Sequence, residues 1–93
     1  MKIVKYTGKQ NRDLRAKGHH LKPVLFIGND ITRSVVEKLN EELRLRSLLK
    51  VRLSKSIANR KETAQLLAKE TGAHVAQIVG RIVLLYLPKS DES

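Results

Sequence analysis

The chain has 93 residues, 41% of them hydrophobic, and contains no cysteine. This length suits one small domain with a modest core. The lack of cysteine excludes a disulfide framework and a thiolate metal site. The formal net charge is +10, from 19 Lys and Arg against nine Asp and Glu, and it favours a polyanionic partner. We expect a single domain over residues 1–88 and a polar C-terminal tail at 89–93.

The positive charge is concentrated in two blocks. Residues 1–22 hold seven bases and one acid, and residues 44–61 hold seven bases and no acid. A charge that serves only solubility mixes both signs, so the blocks indicate a binding surface. No apolar run approaches the roughly 18 residues of a membrane span, and no signal-peptide pattern opens the chain. We therefore expect a cytoplasmic protein without a membrane partner.

The first predicted element is a short helix. The sequence Thr7-Gly8-Lys9-Gln10 fits a capping box, and we expect a helix from about Gly8 to Ala16 that Gly18 stops. Leu14 would face the core. The opposite side would carry a basic stripe of Lys9, Arg12 and Arg15.

A strand over Leu21–Ile27 follows and runs into a turn with two possible roles. Gly28 permits a positive φ, and Thr32 can cap the next helix while its first amides hold a phosphate oxygen. Alternatively, Asp30 caps the helix itself and the turn is an ordinary connection. Physical reasoning from these residues leaves both alternatives open.

The middle of the chain predicts a helix and a strand. A stripe of apolar residues every four positions predicts a helix from about Thr32 to Leu45; its members are Ile31, Val35, Leu39 and Leu43. Glu42 and Arg46 have the favourable i,i+4 order. Alternation over Leu49–Leu53 predicts a half-buried strand.

A third helix and two strands complete the prediction. The helix would begin at Asn59, turn Leu66 and Leu67 inward and end at Gly72. The apolar runs 74–79 and 82–87 would form a hairpin through a type II′ turn at Gly80-Arg81, with the second run central in the sheet. The order α-β-α-β-α-β-β predicts an α/β sandwich with a four-stranded mixed sheet.

The sequence gives little support to catalysis. It lacks cysteine and a G-x-S-x-G elbow, and His19, His20 and His74 lack metal-ligand spacing. We expect no enzyme, catalytic residue, metal or cofactor. Phe26 and Tyr86 lie in apolar strands, so we expect them in the core and consider base stacking weak. The function that remains is recognition of a nucleic-acid backbone by cations and backbone amides.

Several segments together resemble a known family, the CRM domain (chloroplast RNA splicing and ribosome maturation) in its free-standing prokaryotic, YhbY-like form. The matching segments are Thr7–Gln10, Leu14–Ala16, His19–Val24, Ile27-Gly28, Glu70–Ala73 and Val75–Tyr86 with Val79-Gly80-Arg81. The resemblance implies a fold akin to the C-terminal domain of translation initiation factor three. It also implies binding of structured RNA and association with precursors of the large ribosomal subunit. Plant relatives of the family act in group II intron splicing.

The family's G-x-x-G loop lies between the first strand and the second helix, where members read roughly I-G-x-x-G-[IL]-T. Residues 27–32 of this chain are one residue shorter and lack the second glycine. We predict a monomer whose RNA-binding residues are Lys9, Arg12, Arg15, His20, Lys22, Gly28, Asn29, Thr32, Arg33, Arg52, Arg60, Lys61, Gly80 and Arg81. The alternatives are a ribosome-associated structural or protein-docking module and a non-specific nucleic-acid binder.

Overall fold

The structure, a computed structural model, describes residues 7–28 and 31–88. Within those residues the chain forms, in order, α1 (Gly8–Gly18), β1 (Pro23–Ile27), α2 (Arg33–Arg46), β2 (Leu48–Leu53), α3 (Arg60–Thr71), β3 (His74–Val79) and β4 (Ile82–Tyr86). The predicted order of helices and strands is confirmed, with boundaries shifted by one or two residues. None of the helices in these ranges is long and apolar enough to cross a membrane.

The four strands form one mixed sheet in the order β1-β2-β4-β3. The pair β1–β2 is parallel, whereas β4 runs antiparallel to both β2 and β3. The predicted central place of β4 is confirmed. Val83 and Leu85 are fully buried on one face of the sheet, and Leu84 is 1% exposed on the other.

The helices cover the two faces unequally. Helices α2 and α3 lie on one face over the larger core, whose members include Leu39, Leu43, Leu49, Val51, Leu53, Leu67, Val83 and Leu85. Helix α1 lies on the other face over a small cluster of Leu14, Ala76 and Leu84. Since α1 has 11 residues and buries only Leu14 and Gly18, it covers only part of its side of the sheet.

Side-chain caps begin each helix at the predicted residue. At α1, the Thr7 hydroxyl accepts from the Gln10 amide at 3.1 Å and the Gln10 side chain accepts from the Thr7 amide at 2.8 Å. The Thr32 hydroxyl accepts from the Val35 amide at 3.3 Å. These bonds satisfy amides that the first helical turn leaves without partners.

Gly18 has a packing role besides the predicted stop. Helix α1 ends at Gly18 as predicted, but the φ of Gly18 lies outside the left-handed region. A Cβ atom built on Gly18 would lie 2.7 Å from Cδ1 of Leu84, closer than carbon atoms pack. The glycine therefore allows the end of α1 to approach β4 closely.

Two apolar residues that the sequence predicts to face the core are exposed instead. Leu66 is 42% exposed, because the inward side of α3 consists of Ala64 and Leu67, three positions apart. Phe26 is 65% exposed, because its neighbours Leu25 and Ile27 occupy the core side of β1 and successive strand residues point to opposite faces.

We expect Gly18→Ala to lower the free energy of unfolding by about 1–2 kcal/mol, because crowding of Leu84 outweighs the gain in helix propensity. Gly8→Ala is the matched control, since no atom lies within 4 Å of a Cβ at Gly8. Urea unfolding followed by circular dichroism measures both variants. Equal unfolding midpoints for the two would contradict the close packing of α1 on β4.

Candidate nucleic-acid interface

Three chain segments meet at one edge of the sheet, which we call the rim. The Ser54 amide donates to the Ile27 carbonyl at 2.8 Å, and the Leu53 amide donates to the Arg81 carbonyl at 2.7 Å. The segments that follow β1 and β2 therefore lie beside the β3–β4 turn. Helices α2 and α3 also begin at this edge, because they follow the carboxyl ends of the parallel strands β1 and β2.

The β3–β4 turn presents Arg81 at the rim. Gly80 has φ 58°, whereas Arg81 is not among the residues with positive φ, as a type II′ turn requires. Glycine adopts this conformation without steric cost. The hydrogen bond from Leu53 to the Arg81 carbonyl fixes the turn against β2.

A pocket of about 310 Å³ opens at the rim, and we call it the rim pocket. It is lined by Phe26, Arg52, Leu53, Ser54, Lys55 and Arg81. Three of these side chains are cations and none is a carboxylate. The pocket thus combines positive charge with one exposed aromatic ring.

A second cleft, of about 520 Å³, lies between α1 and the sheet, and we call it the helix–sheet cleft. Its lining is Arg12, Arg15, Ala16, His19, Lys50, Gln77, Val79, Ile82 and Leu84. Leu14 is 7% exposed and packs on the sheet. This packing fixes the orientation of α1 so that Arg12 and Arg15 lie on the side of the helix that borders the cleft. Apolar strand residues form its floor.

The two cavities open onto the same face of the sheet. Strand register aligns Phe26 with Arg52, Arg52 with Ile82, and Ile82 with Val79, so one cross-strand row spans all four strands. The neighbouring row is Lys50, Leu84 and Gln77. Rows two residues apart are separated by roughly 7 Å. We call this surface, from the rim pocket to the helix–sheet cleft, the open sheet face.

The carboxylates of α2 are paired with bases of the same helix. Glu37 pairs with Arg33, and Lys38 lies near both Glu41 and Glu42. Arg46 donates to Glu42 at 2.7 Å, and this hydrogen bond holds the pKa of the Glu42 carboxyl below its usual value. All these pairs are on the helix that lies across the sheet from α1.

The cations of the open sheet face have no such partners. Over residues 7–28 and 31–88, no ion pair involves Arg12, Arg15, Lys50, Arg52, Lys55 or Arg81. No acid among the described residues pairs with these cations, so their positive potential can attract an anionic ligand.

The predicted site residues divide into four groups. Arg12, Arg15, Arg52 and Arg81 line the two cavities. Gly28, Thr32 and Gly80 lie at the rim, and Arg60 and Lys61 are exposed in the first turn of α3 at the same edge. Lys9, His20 and Lys22 are exposed but are not among the lining residues. Arg33 follows Thr32 at the start of α2, and both line a groove shared with Glu37 and Glu70.

The turn after β1 differs from the expectation at Gly28. Its φ is outside the left-handed region, and no atom lies within 4 Å of a Cβ built there. Neither backbone conformation nor packing therefore demands glycine at this position, and the expected positive φ is wrong. Thr32 caps α2 as predicted. Asn29 and the alternative cap Asp30 lie outside the described residues, so phosphate binding by this turn stays a prediction.

The predicted set misses His19, Lys50, Lys55 and Phe26. Lys50 and Arg52 are two positions apart in a strand, and this spacing alone indicates a shared face. His19 follows Arg12 and Arg15 at helical spacing, which was an available signal. Phe26 had none, because the run Pro23–Ile27 is apolar throughout and hides which of its residues face the core.

His74 links α1 to β3. Its Nε2 lies 2.7 Å from Oδ1 of Asn11, and burial lowers the pKa of the imidazole below its ordinary value of 6.5. Within the described part of the chain, no three His, Asp or Glu side chains lie together as a metal site would require. The contact between His74 and Asn11 therefore helps to hold α1 in place beside the helix–sheet cleft.

The fold and this surface define a small α/β domain with a basic open sheet face. Comparison with protein families matches residues 7–86 to the CRS1 / YhbY (CRM) domain. The chain therefore belongs to the CRM domain family, and the resemblance drawn from its sequence is confirmed.

Individual relatives agree with this membership. The chain is 38% identical over 88 residues to "Probable RNA-binding protein MJ0652" of Methanocaldococcus jannaschii, a match covering 91% of this chain and 66% of that protein. It is 33% identical over 82 residues to "Probable RNA-binding protein YqeI" of Bacillus subtilis, covering 86% and 85%. The solution structure of the hypothetical protein SAV1595 from Staphylococcus aureus superposes with TM-score 0.81 at 27% identity, covering 96% of this chain and 95% of that one.

We expect an NMR titration to give His74 a pKa below 6.5, because burial disfavours the imidazolium. Between the folded and unfolded pKa values the unfolded chain binds more protons. The stability contributed by His74 is therefore present above pH 6.5 and is lost as the pH falls through the folded pKa. His74→Gln should remove this part of the pH dependence of unfolding. A His74 pKa at or above 6.5 would contradict the assignment.

Proposed function

We propose that this protein binds structured RNA through its phosphates and 2′-hydroxyls, and that the RNA is ribosomal RNA during assembly of the large subunit. The observation that carries the proposal is the open sheet face, where six cations line two adjoining cavities without a carboxylate among the lining residues. Relatives from an archaeon and a bacterium are named as RNA-binding proteins, which supports RNA as the polyanion.

The shape of the surface suits an RNA backbone. A-form RNA offers a wide, shallow minor groove with 2′-hydroxyls, flanked by phosphates. On the open sheet face, Arg12 and Arg15 stand along one wall of the helix–sheet cleft and Arg52 and Arg81 line the rim pocket. Cations on both sides of a cleft can contact successive phosphates, while Gln77 offers hydrogen bonds within it.

The proposal needs no cofactor and no catalytic group. It assigns the protein a binding role, in keeping with the names of its relatives, and implies a cytoplasmic location where ribosomes assemble. A monomer is sufficient, because both cavities are lined by residues of one chain.

We expect the logarithm of the RNA association constant to fall with the logarithm of salt concentration with a slope of about −4 to −7, because five to eight phosphate contacts release condensed counterions. Fluorescence anisotropy with a labelled ribosomal RNA fragment measures the slope. Arg15→Ala and Arg81→Ala should each weaken binding and reduce the magnitude of the slope by about 1.

Arg44→Ala is the matched control for the two arginine variants. Arg44 is exposed near the end of α2, across the sheet from the open sheet face, and its removal should leave the affinity unchanged. A slope near zero would contradict electrostatic binding. Equal loss in all three variants would show that total charge matters and that the open sheet face is not the contact surface.

In a cell lysate, we expect the protein to sediment with precursors of the large ribosomal subunit and to remain there at moderate salt, because specific contacts add to the electrostatic attraction. Density-gradient fractions probed for this protein measure the distribution. The double variant Arg15→Ala/Arg81→Ala should shift to the free fractions. Sedimentation with all RNA, or release of the wild type at modest salt, would contradict the ribosomal role and leave a non-specific binder.

A further inference from the structure

Phe26 exposes an aromatic ring where the rest of its strand contributes to the core. The side chain is 65% exposed, whereas Ile27 beside it is fully buried. Val24, in the same strand, is also exposed at 37%. Exposed apolar surface rimmed by polar residues marks interaction sites.

Strand register surrounds the ring with positive charge. Arg52 is the cross-strand partner of Phe26 in the parallel pair β1–β2, and neighbouring strands lie only about 4.8 Å apart. Lys55 and Arg81 line the same pocket. None of these cations is engaged by a carboxylate among the residues that the structure describes.

We propose that Phe26 is a stacking platform for an unpaired base of RNA, and that Arg52, Lys55 and Arg81 hold the phosphates next to that base. The inference rests on the proposed function and adds to it an unpaired nucleotide as part of the ligand. Aromatic side chains stack on the face of any base, and nearby cations follow the backbone. A base inside a duplex has both faces covered by its neighbours, so only an unpaired base can stack on Phe26.

The charge of the rim pocket argues for a nucleotide over a second copy of this chain. A second copy of this chain, docked face to face, would bring Arg52, Lys55 and Arg81 against the same cations, and like charges across an interface are unfavourable. An anionic ligand meets three uncompensated cations and one ring. The pocket volume of about 310 Å³ lies at the small end of the roughly 300–1,000 Å³ usual for ligand sites.

The open sheet face also offers the RNA a path beyond the pocket. Ile82, the neighbour of Arg52 on β4, lines the helix–sheet cleft. Lys50 lies one row further along, in the same cleft as Arg15. An RNA strand that leaves the stacked base can therefore follow cations toward α1. This arrangement combines a single stacking contact with a continuous electrostatic track.

The test compares two RNA probes of equal length and charge, a hairpin with an unpaired loop and a fully paired blunt duplex. Phe26→Ala should weaken binding of the hairpin about 5- to 100-fold, the usual loss for one base–aromatic stack, and leave duplex binding unchanged. Leu45→Ala is the control, since Leu45 is 70% exposed on α2, across the sheet. Leu45→Ala should change the affinity for neither the hairpin nor the duplex.

Phe26→Trp supplies a direct reporter, because the chain contains no tryptophan. The variant keeps an aromatic ring at this position, and its fluorescence should be quenched by the hairpin but not by the duplex. A quench of equal size by both probes would contradict stacking on an unpaired base.

The outcomes separate this inference from the proposed function. If the wild type binds both probes and Phe26→Ala changes neither affinity, the stacking site is refuted and the electrostatic surface stands. If the wild type binds neither probe, the proposed function fails and the inference fails with it. If Phe26→Ala alters only the sedimentation of the RNA-free protein, the ring belongs to a protein contact and the inference is overturned.

Discussion

The packing of α1 on β4 is the contact on which the open sheet face depends. Leu14 and the Cβ-free Gly18 bring a short, polar helix onto Leu84, and a helix of this length is marginal without such packing. The contact holds α1 over one part of the sheet and leaves the remainder open. It also fixes which side of the helix borders the cleft, and therefore where Arg12 and Arg15 present their charge.

The sheet separates two kinds of charged surface. On the side of α2, acids and bases neutralise each other within one helix. On the side of α1, the described residues that line the two cavities include bases and no acid. Since salt screens exposed charges beyond roughly 8–10 Å, the two surfaces act almost independently. The fold thus directs the excess positive charge, which gives the chain its net charge of +10, toward the side of α1.

Much of the fold was predictable because local signals agree with the tertiary structure. Capping residues predict where the helices begin. Apolar residues at every fourth position from Ile31 to Leu43 predict α2. The continuous apolar run in β4 predicts a central strand. Phe26 could not be predicted, because an apolar run conceals which side is covered. Gly18 carries the sequence signal of a helix stop, yet its role comes from a residue 66 positions away, Leu84. Which cations lie close together likewise depends on the order of the strands in the sheet, and the spacing of residues along the sequence does not reveal that order.

The strand order has a consequence for the synthesis of the chain. Leu84 of β4 lies beneath α1, and β4 lies between β2 and β3, so α1 cannot pack on the sheet until β4 has been synthesised. A nascent chain that lacks β4 carries the basic residues of α1 but no cleft beside them. A ligand that binds the complete surface would therefore stabilise only the finished fold.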